Sequence, residues 1–372
     1  MTEGHPHHHR VPTDLVQIPI IWRYELLRYL RSKRLIASIA IALLVIGLIF
    51  IIPPAFGSPY TGSETREIVS IVSLSSLDPD AWSLPFTAAG LLAHGGVDVD
   101  SLIIYVNNSE IPSGMTTWIV SGTQGIPDEL LPGTDVVILF AMDVSGSVVT
   151  ATYDWVTPAE DFESGFLSFA QILIVIAATF FGADAIVGEY QNRTGYLMFP
   201  NPVKRETLFL GKYAASMTAG ILVMVVFYAS IILLSVFTVG AIDNDIGLSF
   251  AYALEFTVVA MAIAYLISSI MKGTTGATVL TFFLFIMILP IVDSVSMFAG
   301  VKLEGSVTFS AGVIQYILSD PYPVDTTMDV GAGFTLHSYY PDPGLAALIM
   351  LIYAVVAVVI SLVLFKRKEL AG

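Results

Sequence analysis

The sequence contains no cysteine, so disulfides and thiolate metal sites are excluded and the redox state of its compartment leaves no trace. Charge is also scarce: 13% of the residues are charged and 55% are hydrophobic, against roughly 25% charged in ordinary soluble domains. The charges cluster and leave long uncharged runs between them. Catalytic signatures are missing too. Gly211-Lys212 has neither the upstream glycine nor the following Ser or Thr of a phosphate-binding loop. His-Glu-x-x-His and Gly-x-Ser-x-Gly do not occur. Beyond the His5-Pro6-His7-His8-His9 tract, only His94 and His337 remain. That tract reads as part of a disordered tail, residues 1–13, since no carboxylate or distant His is placed to complete a metal site. An enzyme therefore has little support, and nothing calls for a cofactor, a metal or nucleic acid. No secretory signal peptide is expected, because the first apolar run begins at Leu35, after a basic stretch, and no small-residue cleavage site follows it.

What is present is a series of apolar runs, each near the length that crosses a bilayer core of about 30 Å. They predict an all-α polytopic membrane protein with about six transmembrane helices. The runs are Leu35 to Ile52, stopped by Pro53-Pro54; Phe166 to Val187; Tyr213 to Val239; Phe250 to Met271; Thr274 to Val292; and Gly344 to Phe365. Helices are required because backbone groups facing lipid must be satisfied within their own segment.

Basic residues set the orientation, since cytoplasmic loops carry them in excess. Arg10, Arg23, Arg28, Arg31, Lys33 and Arg34 precede the first run. Arg193, Lys204, Arg205 and Lys212 lie between the second and third, Lys272 between the fourth and fifth, and Lys366, Arg367 and Lys368 after the sixth. A six-span layout in the plasma membrane with both termini cytoplasmic puts these fourteen of the sixteen bases on one side, leaving Arg66 and Lys302 outside. The acids are distributed in reverse. Residues 57–165 hold fifteen of them, and the outside face as a whole holds 23. They are spread out without ligand spacing, so they read as a solvated acidic surface rather than a cation site.

Four further segments follow. Residues 14–34 form a basic amphipathic helix lying in the membrane interface, with Leu15, Ile18, Trp22, Leu26, Tyr29 and Leu30 on one face and Arg23, Glu25, Arg28 and Arg31 on the other. The first-span segment is residues 35–56. Residues 57–165 form an inserted β-rich extracytoplasmic domain between helices 1 and 2. Its expected strands are Ile68–Leu74, Ser101–Val106, Thr116–Val120, Val136–Met142 and Ser147–Trp155. Asn107-Asn108-Ser109 matches a glycosylation acceptor, a triplet common by chance. Residues 166–372 complete the bundle, with a cytoplasmic loop at 188–212 and an external loop at 293–343. Within the latter, Val313–Leu318 is expected to form a short helix on the outer surface.

Ionisable residues inside spans are costly and point to function. Glu255, expected about 8 Å below the outer edge of its span, is a candidate for lining a pathway or pairing helices, against an equal reading as a carboxylate reaching the interface. Asp184 is expected near the inner end of the second span, within reach of water, and Asp293 at the outer interface. The loop after the second span carries most pattern. Asp184 and Glu189 leave the membrane on a helix, a polar turn follows, Pro200 and Pro202 break the chain, and Lys204-Arg205 and Gly211-Lys212 lead into the third span. Such a loop could dock a soluble partner, or owe its bases to topology alone.

The loop resembles the one in permease subunits of type 2 ATP-binding cassette (ABC) transporters. Those show an acidic residue, a Gly-Thr pair, a short leucine-rich stretch, Pro-Val-x-Arg, and Leu-Gly-Lys entering the next span. Here Glu189, Thr194-Gly195, Leu197, Pro202-Val203-Lys204-Arg205 and Leu210-Gly211-Lys212 match, with the pair reversed and Pro200 added. The in-plane helix, external domain and six-span layout fit the same family. The resemblance implies that Asp184, Glu189, Arg193, Thr194, Gly195, Pro202, Arg205, Gly211 and Lys212 couple the chain to a cytoplasmic ABC ATPase. It also implies a second permease copy, the same or different, surrounded by membrane lipid. The chain itself would perform no bond chemistry. Two other classes compete: a membrane-anchored envelope or sensor protein acting through its external domain, and a secondary transporter. The latter would usually show an internal repeat or paired broken helices, which are not evident here.

Overall fold

The structure is a computed structural model that describes residues 14–68, 70–73, 87–91, 96–112, 116–120, 136–191, 204–329 and 335–367. Two units emerge, one helical and one largely of strands.

The helical unit contains α1 (Asp14–Leu30), most of α2 (Lys33–Ala55), the latter part of α3 (Ala159–Leu167), α4 (Ala170–Phe181), α5 (Val187–Gln191), most of α6 (Arg205–Thr238), α7 (Ile246–Ile270), α8 (Thr274–Phe283), a π turn (Leu284–Ile288), α9 (Leu289–Ala299), α10 (Val307–Ser310), α11 (Val313–Tyr316) and α12 (Pro343–Arg367). Among the described residues, six segments are long and apolar enough to cross a membrane: α2, Ala159–Phe181, α6, α7, Thr274–Val295 and α12. At about 1.5 Å per residue, α6 is roughly 50 Å long and exceeds a bilayer core.

Small residues draw these helices together. On α12, Ala346, Met350, Ala354, Ala357, Ser361 and Phe365 recur every three to four residues and are buried, much of the face against α7. The hydroxyls of Ser269 and Ser361 meet at 2.8 Å across that contact. Leu348, Leu351, Ile352, Val355, Val356 and Val359 of the same helix are exposed. A soluble protein rarely leaves so continuous an apolar face uncovered, whereas lipid covers it at no loss.

Several helix ends differ from expectation. Pro53 and Pro54 lie inside α2, not after it. Proline disrupts only bonds to the preceding turn, and the amides of Phe56, Gly57 and Ser58 cap the carbonyls of Ile52, Pro54 and Pro53. The second span begins at Ala159, not Phe166, because Glu160, Asp161 and Glu163 sit in its first turns, where acids favour the helix dipole. It breaks at Ser168 and Phe169 and ends at Phe181 rather than Val187. The third begins at Arg205, two turns before Tyr213. The fifth runs through Pro290 and continues past Val292 to Ala299. The preceding π turn widens the helix where the proline ring would otherwise strike the carbonyl of Ile286. Val313–Tyr316 is helical, but not on the surface: Val313 and Ile314 are buried, and Ser249 of α7 donates to the Ile314 carbonyl at 2.6 Å.

The second unit, residues 51–162 with 234–241, is built on two antiparallel sheets. The strands are β1 (Thr61–Glu67), β2 (Ser70–Ser73), β3 (Thr87–Leu91), β4 (Gly96–Val97), β5 (Ile103–Val106), β6 (Ser109–Glu110), β7 (Thr116–Val120), β8 (Val136–Phe140) and β9 (Val149–Val156). One sheet runs β1-β9-β5-β6 with β4 also on β9, and the other runs β2-β3-β8-β7. Alternate residues of β8 (Val136, Ile138, Phe140) and β9 (Val149, Ala151, Tyr153) share one apolar core, so the sheets form a sandwich. Asn107 and Asn108 take positive φ values of 47° and 65° in the turn joining β5 to β6, a conformation that asparagine tolerates in tight hairpins. β1 and β3 were not expected. β1 is almost wholly polar and lies at a sheet edge, and β3 is rich in the small residues that strands usually avoid.

In the helical unit, residues 326–329 and 335–338 add a hairpin, β10 (Thr326–Asp329) with β11 (Thr335–Ser338).

Candidate functional site

The candidate site lies at the end of the bundle where α4, α7 and α12 terminate and α6 begins. Its centre is Lys212, with a side chain only 5% exposed. The ammonium is 2.7 Å from Oε1 of Glu25 on α1 and 2.7 Å from Oε1 of Glu189 on α5. Arg28 approaches the other oxygen of Glu25 at 3.3 Å. A lone buried ammonium would be very unfavourable, and two carboxylates supply the compensating charge. The triad therefore ties three chain segments that are far apart in sequence.

Contacts around it are close. A Cβ on Gly211 would stand 2.7 Å from Cγ2 of Ile21, so glycine is what lets α1 lie directly on α6. Trp22 donates its indole N–H to Thr218 at 3.0 Å. The Tyr29 hydroxyl donates to the Phe181 carbonyl at 3.2 Å and meets the Ser216 hydroxyl at 3.0 Å, which in turn lies 2.8 Å from the Tyr265 hydroxyl. Burial pushes the Tyr29 pKa above its ordinary value, so this phenol stays neutral and can keep donating.

The turn 182–186 between α4 and α5 is held from two sides. Arg34 pairs with Asp184 at 2.6 Å and donates to the Phe180 carbonyl at 3.1 Å. The Ser268 hydroxyl accepts the amides of Ile186 and Val187 at 3.1 and 3.0 Å. Beyond the turn, the Gln191 side chain caps α8 by accepting the Thr274 amide at 2.9 Å. On the opposite flank Arg205 donates to the Lys366 carbonyl at 3.1 Å, and Lys366 pairs with Glu206.

Asp184, Glu189, Arg205, Gly211 and Lys212 thus gather at one end of the bundle. Arg193, Thr194, Gly195 and Pro202 lie outside the described residues, as does the His5–His9 tract. Glu255 does not join the site. It stands nine residues into α7, about 13 Å from the far end of that helix, half-buried and without an ion pair among the described residues. That is deeper than expected, because α7 starts at Ile246 rather than Phe250.

The sequence reading placed Glu25 on the polar face of α1, and the structure corrects this: Glu25 is 3% exposed. The helical phase carries the signal. At about 100° per residue, Glu25 falls within 20° of Ile18 and 40° of Tyr29, in the middle of the apolar stripe. Tyr24 and Ile20 are exposed instead. Ser268, Ser216 and Tyr265 gave no comparable signal, since small polar residues in spans are ordinary.

Comparison with known families gives one finding. A family model described as "ABC-2 family transporter protein" matches residues 19–370. No curated protein matches the chain in sequence.

Proposed function

The chain belongs to the ABC-2 transporter family and is a multi-pass permease component of an ABC transporter, and we propose that the Lys212 end of its bundle is the surface through which a separate ATPase drives it. The observation that carries this reading is the Glu25–Lys212–Glu189 triad. A force applied to α5 and the segment after it reaches α1 and α6 directly, because one buried cation holds all three. Arg193, Thr194, Gly195 and Pro202 belong to the same contact surface, with Asp184, Arg205 and Gly211 positioning it.

On this reading the Lys212 end and both termini are cytoplasmic. The placement of fourteen of sixteen bases supports that orientation. The sandwich is then extracytoplasmic, and residues 14–30 lie in the inner membrane interface with Ile20, Tyr24 and Leu27 toward lipid. Two permeases, identical or not, work with two ATPase subunits. Nucleotide-driven closure of the ATPases tilts the helices and alternates access to the substrate path.

The test is to replace residues 189–205 by an inert polar linker and to purify the protein with its associated ATPase. Loss of the ATPase, or loss of substrate-stimulated hydrolysis, is expected. Unchanged association and stimulation would sink the coupling reading.

A further inference from the structure

The end of the bundle opposite Lys212 contains a cavity of about 360 Å³. Chain direction separates the two places. α4 starts at Ala170 beside the cavity and ends at Phe181 beside Tyr29, and α12 starts just after the wall residue Pro341 and ends beside Arg205. The wall brings together Gln171 from α4, Asp293 from α9, Thr308 and Phe309 from α10, Tyr316 from α11, and Tyr340.

This lining is chemically selective. It has one carboxylate, three tyrosines and a phenylalanine, and no Lys or Arg among the described residues. Thr308 donates to Oδ2 of Asp293 at 2.5 Å, which fixes the carboxylate at the wall. The rings of Tyr316 and Tyr340 pack edge to face at 4.9 Å and 88°, which fixes the aromatic side. An anion here would meet a carboxylate and no basic side chain among the described lining residues. A wholly apolar guest would dehydrate Gln171 and Asp293 without replacing their water. A cation with an apolar body satisfies both halves of the wall, through Asp293 and through the ring faces. The chain from 293 to 343, which supplies most of the wall, carries six acids against the single Lys or Arg, Lys302, and adds a field of the same sign.

We propose that this cavity binds a small organic ammonium cation. That the bound cation is also cargo rests on the permease reading; the binding itself does not. The experiment uses the full-length protein in lipid nanodiscs, without ATPase, titrated calorimetrically with benzyltrimethylammonium, benzyl alcohol and phenylacetate. Saturable binding of the cation is expected, at least about tenfold tighter than the alcohol, with none for the anion. Asp293→Asn should weaken the cation at least about tenfold. Because that change also alters the Thr308 contact, Tyr340→Leu is the second variant, expected to weaken the cation several-fold with the melting temperature retained. No saturable binding, equal affinity for the alcohol, or affinity unchanged in a folded variant would each overturn the proposal. Replacing residues 189–205 should leave binding intact, so failure of the coupling reading is distinguishable from failure of this one.

Discussion

The ammonium of Lys212 lies 2.7 Å from Oε1 of Glu189, twenty-three residues earlier in the chain. This contact ties α5 to the start of α6. The same nitrogen holds Glu25, and the consequences of breaking one pair therefore spread to the other.

Lys212→Met should be the most damaging single change at this end. It leaves Glu25 buried with only the largely exposed Arg28 beside it, and breaking a buried pair on one side destabilises proteins by up to about 3–5 kcal/mol. A melting curve in nanodiscs should show a clear loss, with association of the ATPase impaired in parallel. Glu189→Gln should cost less, because Glu189 is more exposed and Glu25 still pairs with Lys212. Equal melting temperatures for Lys212→Met and the unmodified protein would rule out a structural role for the triad.

Gly211→Ala is expected to push α1 away from α6. The new methyl group would stand 2.7 Å from Cγ2 and 2.8 Å from Cβ of Ile21, and overpacking of this kind costs about 1–3 kcal/mol. Ile21→Ala in the same chain removes the Cγ2 obstruction, leaves the Cβ contact in place, and should recover part of the loss. Cross-linking between engineered cysteines on α1 and α6 would report the displacement directly, against a background free of native cysteine.

Ser268→Ala leaves the buried amides of Ile186 and Val187 without their acceptor. An unsatisfied buried donor costs about 1–3 kcal/mol, and the effect should be local. Hydrogen exchange should accelerate across residues 182–191 while α7 itself stays protected. Uniform exchange across the whole bundle would contradict a local role.

A pH effect is expected at the opposite end. Partial desolvation opposes the Asp325 carboxylate, but the Tyr340 amide at 2.9 Å and Lys302 at 2.9 Å outweigh it and hold its pKa below the ordinary carboxylate value. A folded pKa lower than the unfolded one gives stability that is present above the unfolded value and lost as pH falls through the folded one. Residues 320–325 and 335–341 should therefore exchange faster only in acid, below the ordinary carboxylate range. Asp325→Asn should remove that dependence and leave faster exchange at neutral pH.

Much of this molecule is legible in the sequence for a physical reason. A bilayer demands about twenty apolar residues per crossing, so spans appear as runs that composition alone exposes. Charge asymmetry is equally direct. Helix ends were harder to read, because Pro53 and Pro54 look like stops when neighbouring amides can cap the turn they interrupt. β1 and β3 went unseen because their residues lack the alternating apolar pattern that marks a strand.

The sequence by itself determined the membrane character, the six apolar helices, the inserted strand-rich segment and a loop that resembles the one in type 2 ABC permeases. Each is a local property, set by composition or short-range spacing. Only the tertiary structure decided that Lys212 is a buried clamp rather than one more loop base, and that Glu25, read as a solvated charge, is its partner. That decision depends on α1 folding back onto α6 over a bare glycine. A contact between residues 187 apart is made by packing, and no local pattern records it.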